Sequence, residues 1–130
     1  MAFYLDTSAA VKLVVEERGS KALRSWIART RASIVSSDLT RTELLRATRR
    51  GAPERMPQAR AVLDSLILIT LPTQLFERAA DLEPDLLRSL DALHLAAALD
   101  LGDDLDGIVT YDDRLGAAAV AHGITVVAPA

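Results

Sequence analysis

The sequence predicts an α/β fold: a three-layer α/β/α sandwich around a central parallel sheet of four to five strands, built as a single domain over residues 1–130. Three observations lead there. Short runs rich in β-forming residues recur at 2–5, 33–36, 67–71, 107–111 and 124–127. Helical patterns separate each run from the next, which is the spacing of parallel strands joined by right-handed crossovers. Two of the runs, Ala2-Phe3-Tyr4-Leu5 and Ile67-Leu68-Ile69-Thr70-Leu71, are apolar or β-branched without alternation, as strands covered on both faces are.

The first run ends at Asp6, and Thr7 or Ser8 is read as the cap of an apolar helix over 8–17 that uses Ala9, Val11, Leu13, Val14 and Val15. Gly19 and Ser20 break it, and a second helix carries Leu23, Trp26 and Ile27 at helical spacing. Trp26 is read as core or contact surface, with no second aromatic beside it. After the strand Ser33-Ile34-Val35-Ser36, Ser37 or Asp38 caps a helix over 39–50 that Gly51 stops. Pro53 opens a helix to about residue 65, which feeds the buried strand 67–71. Pro72 ends that strand, and Thr73 caps a helix over 74–82. Pro84 breaks the chain before a short helical turn at 85–88. A strongly apolar helix runs from Ser89 or Leu90 to about Leu101, and Gly102 leads into a solvated acidic loop with Asp103, Asp104 and Asp106. The strand 107–111, an Ala-rich helix over 114–121 and the strand 124–127 complete the chain.

Composition narrows the function. Half of the 130 residues are hydrophobic but only 4% are aromatic, so the core is made of Leu, Ala, Val and Ile. No apolar run approaches the roughly 20 residues of a membrane span; the longest, Leu93–Leu99, is interrupted by His94. With no signal pattern before the first strand, a cytoplasmic location and no membrane contact are expected. Cysteine is absent, which excludes disulfides and thiolate metal sites. The net charge of −3 hides an asymmetry: residues 1–60 hold twelve Lys and Arg against six acids, and residues 61–130 hold three against twelve. Arg41, Arg46, Arg49, Arg50, Arg55 and Arg60 crowd one stretch, a possible phosphate-facing surface or a plainly solvated one.

The carboxylates carry the chemistry. Asp112 ends the fourth strand as Asp6 ends the first, and neighbouring parallel strands would bring both to one sheet edge, where open α/β sheets bind ligands. Asp91 stands in the first turn of a buried helix, and Glu43 one turn into another, near the boundary of its leucine stripe. Alone, each such Asp is a helix cap. Together in one crevice they repel unless a cation sits among them, and a hard divalent ion, Mg²⁺ or Mn²⁺, suits oxygen ligands. Metal-assisted phosphoryl transfer is the chemistry such a cluster serves. Ser8 and Thr110 are placed to hydrogen-bond carboxylates or a metal-bound water. His94 lies three residues after Asp91 on the same helical face and is read as a satisfied buried histidine. No nucleophile elbow or phosphate-cradling glycine loop is present, and His122 lies on a polar helix end.

Four segments in order, Tyr4-Leu5-Asp6-Thr7-Ser8-Ala9, Thr42-Glu43-Leu44-Leu45-Arg46-Ala47, Leu90-Asp91-Ala92-Leu93-His94-Leu95-Ala96-Ala97-Ala98-Leu99 and Val109-Thr110-Tyr111-Asp112-Asp113-Arg114-Leu115, resemble the PIN domain, specifically the VapC-type toxins of toxin–antitoxin pairs. The resemblance spans essentially the whole chain. It implies a metal-dependent endoribonuclease whose acidic quartet is Asp6, Glu43, Asp91 and Asp112. Asp6, Asp91 and Asp112 would hold Mg²⁺ or Mn²⁺, and Glu43 would ligate it or position the attacking water. Ser8 and Thr110 match the family's hydroxyl positions, and Asp113 is a possible fifth acid. It further implies an RNA substrate, contacted by Arg46, Arg49 and Arg50, a cognate VapB-type antitoxin, a homodimer or larger assembly, and promoter DNA bound only through the antitoxin. The competing reading is a non-catalytic PIN-like module acting through a partner. A receiver-like phospho-acceptor domain is set aside, since Thr7-Ser8 replace its acidic pair and the only lysines are Lys12 and Lys21.

Overall fold

The computed structural model describes all 130 residues. Five parallel strands, β1 (Ala2–Leu5), β2 (Ser33–Ser37), β3 (Ile67–Ile69), β4 (Leu105–Val109) and β5 (Val126–Val127), form one sheet in the order β3-β2-β1-β4-β5. Seven helices flank it: α1 (Thr7–Val14), α2 (Ser20–Arg29), α3 (Asp38–Gly51), α4 (Met56–Ser65), α5 (Thr73–Ala80), α6 (Ser89–Leu99) and α7 (Asp113–Ala121). The three-layer sandwich is as the sequence predicts.

Side chains of a strand alternate between faces, and the two cores follow that alternation. Tyr4 and Ile108 point into a cluster with Leu75, Leu95 and Leu115, under α5, α6 and α7. Leu5 and Val109 point the other way, into a cluster with Leu23, Leu44 and Leu63, under α1 to α4. β1 is therefore covered on both faces. The chain lays down β1, β2 and β3 outward on one side, then crosses back to place β4 on the other side of β1. The order reverses between β1 and β4, and the crevice beyond their C-terminal ends is where this architecture binds ligands.

Several local expectations are corrected. The β3 run is an edge strand of three residues, not a buried strand over 67–71, and Ile67 is exposed. Its apolar side chains divide between the two clusters, Leu68 on one face and Ile69 on the other, and both remain partly exposed. β4 begins at Leu105, so Asp106 of the expected acidic loop lies in a strand, and Thr110 and Tyr111 fall beyond its end. β5 keeps two residues of the expected 124–127. No helix forms at 85–88, where one bond from the Leu87 N–H to the Pro84 carbonyl closes a single turn. Trp26 does have an aromatic partner, since its ring meets Phe3 edge-on at 4.9 Å. The cap of α1 is neither Thr7 nor Ser8 but Asp6 itself.

Candidate active site

Asp6 leaves β1 at the switch point with extended backbone (φ −83°, ψ 177°), and its amide N–H still donates to the Val109 carbonyl of β4 at 3.1 Å. Asp6 is only 3% exposed, and its carboxyl group accepts three hydrogen bonds. Oδ1 accepts from the Ala9 amide at 3.0 Å and the Ser8 hydroxyl at 2.7 Å, and Oδ2 accepts from the Thr110 hydroxyl at 2.6 Å. Burial pushes the Asp6 carboxyl above the usual carboxylate range, while those hydrogen bonds act to lower it. Thr110 continues the chain of contacts, since its Oγ1 also accepts from the Asp112 amide at 3.0 Å. Ser8 Oγ accepts from the Tyr111 amide at 2.9 Å. Both hydroxyls thus tie the end of β1 to the end of β4.

Asp112 is the N-cap of α7. Its Oδ1 accepts from the Arg114 and Leu115 amides at 2.9 and 3.0 Å, which leaves Oδ2 free of capping work. Asp91 lies in the first turn of α6. Three of the four acids therefore stand at helix N-termini, where the positive end of the helix dipole favours negative charge.

Arg88, just before α6, connects two of them. Its Nε donates to Asp91 Oδ2 at 3.0 Å and its Nη2 to Asp112 Oδ2 at 3.2 Å. Nothing in the sequence singles out this arginine. Its spacing from Asp91, three residues across a helix start, is the one signal that could have found it.

Glu43 reaches the same edge from the second turn of α3, held by two donors. The Thr7 hydroxyl donates to Oε1 at 2.7 Å, and His94 Nε2 lies 2.6 Å from the same oxygen. Burial pushes the Glu43 carboxyl up, but the His94 and Thr7 hydrogen bonds outweigh it and hold the group below the ordinary glutamate range. His94 is buried and satisfied as expected: its Nδ1 is 2.8 Å from the Tyr4 hydroxyl, which is 2.9 Å from Ser37 Oγ. The connection from His94 to Glu43 is not visible from spacing, because 51 residues separate them.

The remaining predicted residues are placed less centrally. Asp113 is exposed in the first turn of α7. Arg46, Arg49 and Arg50 are exposed on the C-terminal half of α3. Arg46 and Arg50 lie three and seven residues after Glu43, on its side of the helix.

The donor set is chemically right for a hard cation: carboxylate oxygens, one of them buried with a raised pKa, with a guanidinium already bridging two others. As the side chains stand, no three of the acids and histidines close around a common point. Asp91 and Asp112 are turned toward Arg88 instead.

The family model of the PIN domain matches residues 3–123. Ribonuclease VapC46 of Mycobacterium tuberculosis is 44% identical over 128 residues, 98% of each chain. The crystal structure of M. tuberculosis VapC20, described as a sarcin–ricin loop cleaving toxin, superposes with a TM-score of 0.78 at 17% identity, over 98% of this chain and 99% of that one. A toxin–antitoxin complex from Klebsiella pneumoniae gives 0.74 at 21% identity, over 98% of each chain. At such identities the two structures speak for the fold alone, whereas the family model and VapC46 match the sequence over nearly its full length. This chain belongs to the PIN domain family, among the VapC-type ribonucleases.

Proposed function

We propose that this chain is the toxin of a toxin–antitoxin pair and acts as a Mg²⁺- or Mn²⁺-dependent endoribonuclease that hydrolyses RNA phosphodiester bonds. What supports the reading is that Asp6 and Asp112 follow the C-terminal ends of β1 and β4 and are joined through Thr110, that Arg88 joins Asp112 to Asp91, and that Thr7, next to Asp6, holds Glu43. Asp6, Asp91 and Asp112 would hold the metal. When bound, a divalent ion supplies Lewis-acid polarisation of a phosphate oxygen and an activated water. The chain's own residues do the rest. Ser8 and Thr110 fix both oxygens of Asp6, so its remaining lone pairs keep one direction. His94 and Thr7 keep Glu43 ionised and aimed, a state suited to ligating the ion or positioning the attacking water. Arg46, Arg49 and Arg50 offer a cationic track for the RNA backbone, whose contacts weaken as salt rises.

The partners follow from the same reading: a VapB-type antitoxin that inhibits the site, a second copy of this chain, and promoter DNA reached through the antitoxin. Exposed Phe76, Leu86 and Leu90 provide apolar surface for such contacts. The test uses purified protein on total RNA. Mn²⁺ should give discrete fragments and EDTA should suppress them. Intact RNA in both arms would replace this reading with the non-catalytic binding module.

A further inference from the structure

In the reading above Arg88 only joins two of the acids and has no role of its own, yet it makes the only salt bridges to Asp91 and Asp112. Its two donors each take one carboxylate oxygen. Asp112 uses Oδ1 to cap α7 and presents Oδ2 to Nη2, and Asp91 presents Oδ2 to Nε. These are the oxygens a metal ion would need. The arginine itself is 61% exposed, so its guanidinium lies on the solvent side of the pair rather than locked in the core. Beside it opens a cavity of about 460 Å³, lined by Leu87, Arg114 and Ala117 among others, with room for the side chain to swing clear.

We infer that Arg88 is an in-chain counter-ion that occupies Asp91 and Asp112 when no metal is bound, and that it must leave them for a divalent cation to enter. This rests on the metal reading of the four acids. The physical basis is direct: two carboxylates fixed within reach of one guanidinium repel each other without a cation, and Arg88 supplies the charge from the chain itself. It remains protonated under all ordinary conditions, so only competition or movement can displace it. The consequence is a metal affinity lower than the acids alone would give.

Calorimetric titration with Mn²⁺ alone, without RNA, tests this. Arg88→Ala and the shorter, polar but uncharged Arg88→Gln should both bind Mn²⁺ more tightly than wild type, by about tenfold, the weight of two partly exposed ion pairs. Arg114→Ala removes an equal charge from the rim of the same cavity and serves as the control. It should leave the affinity within about twofold of wild type, because it breaks no contact with the acids. Equal tightening by Arg114→Ala, or equal or weaker binding by both Arg88 variants, overturns the inference while leaving the metal reading intact. Failure of wild type and of both Arg88 variants to take up Mn²⁺ overturns both. Thermal melting of each variant checks the fold, and loss of two exposed ion pairs should move it little.

Discussion

Asp6 carries two duties in one carboxyl group: it caps α1 with Oδ1 and faces the crevice with its other lone pairs. Such a group depends on its neighbours being exact in position, and the same holds for Glu43. The imidazole of His94, fixed behind it by Tyr4, sets both the direction and the charge of that carboxylate. His94→Leu should lower kcat for RNA cleavage by about 10- to 100-fold, the usual weight of a residue orienting a metal-site group, with little change in KM. His94→Gln, whose amide reaches the Nε2 position, should restore much of the rate. Equal losses in the two variants would show that holding Glu43 is not what His94 does. The placement of Asp6 at the end of β1 and of Asp91 in the first turn of α6 was legible in the sequence, and so was the burial of His94. The contacts that orient them, Arg88 on Asp91 and Asp112 and His94 on Glu43, were not, because side-chain direction depends on how α3 and α6 are rotated against the sheet.

At the scale of elements, the strands β1 and β4 must be held in register for Asp6 and Asp112 to share an edge. Gly107 secures that register. A Cβ there would lie 2.8 Å from the Thr125 carbonyl oxygen, which accepts the Ile108 amide, and 3.2 Å from the Phe3 ring, which meets Trp26. Gly107→Ala must therefore push apart the segment entering β5 or displace Phe3, at a cost of about 1–3 kcal/mol. Thermal unfolding should fall by roughly 3–10 °C; an unchanged melting point would show that the close approach is slack. The existence of every strand and of the seven helices was readable from periodicity and from Gly and Pro. What misled was cover: 67–71 reads as a buried strand by composition, but position at the sheet edge is set by topology, which no local pattern encodes. The loop at 85–88 failed for a similar reason, since one turn bond is too little to propagate a helix.

For the whole molecule, the reversal of strand order between β1 and β4 brings Asp6 and Asp112 to one sheet edge, and the burial of Asp6 there carries a cost. Burial raises the pKa of Asp6, so the folded chain holds that proton more tightly than the unfolded chain does. The resulting stabilisation is complete below the unfolded pKa and is lost as pH rises through the folded one, so ionised Asp6 opposes folding at neutral pH. A bound cation would relieve that opposition. The cap and a metal role for Asp6 are compatible: the cap positions the group and leaves its charge available to a cation. The most direct test is Asp6→Asn, which keeps the cap acceptor and removes the charge. Measured side by side with wild type in Mn²⁺, its rate of RNA cleavage should fall by about a thousandfold, while its metal-free melting point at neutral pH rises. An Asp6→Asn protein that cuts RNA at the wild-type rate would contradict the account at its centre.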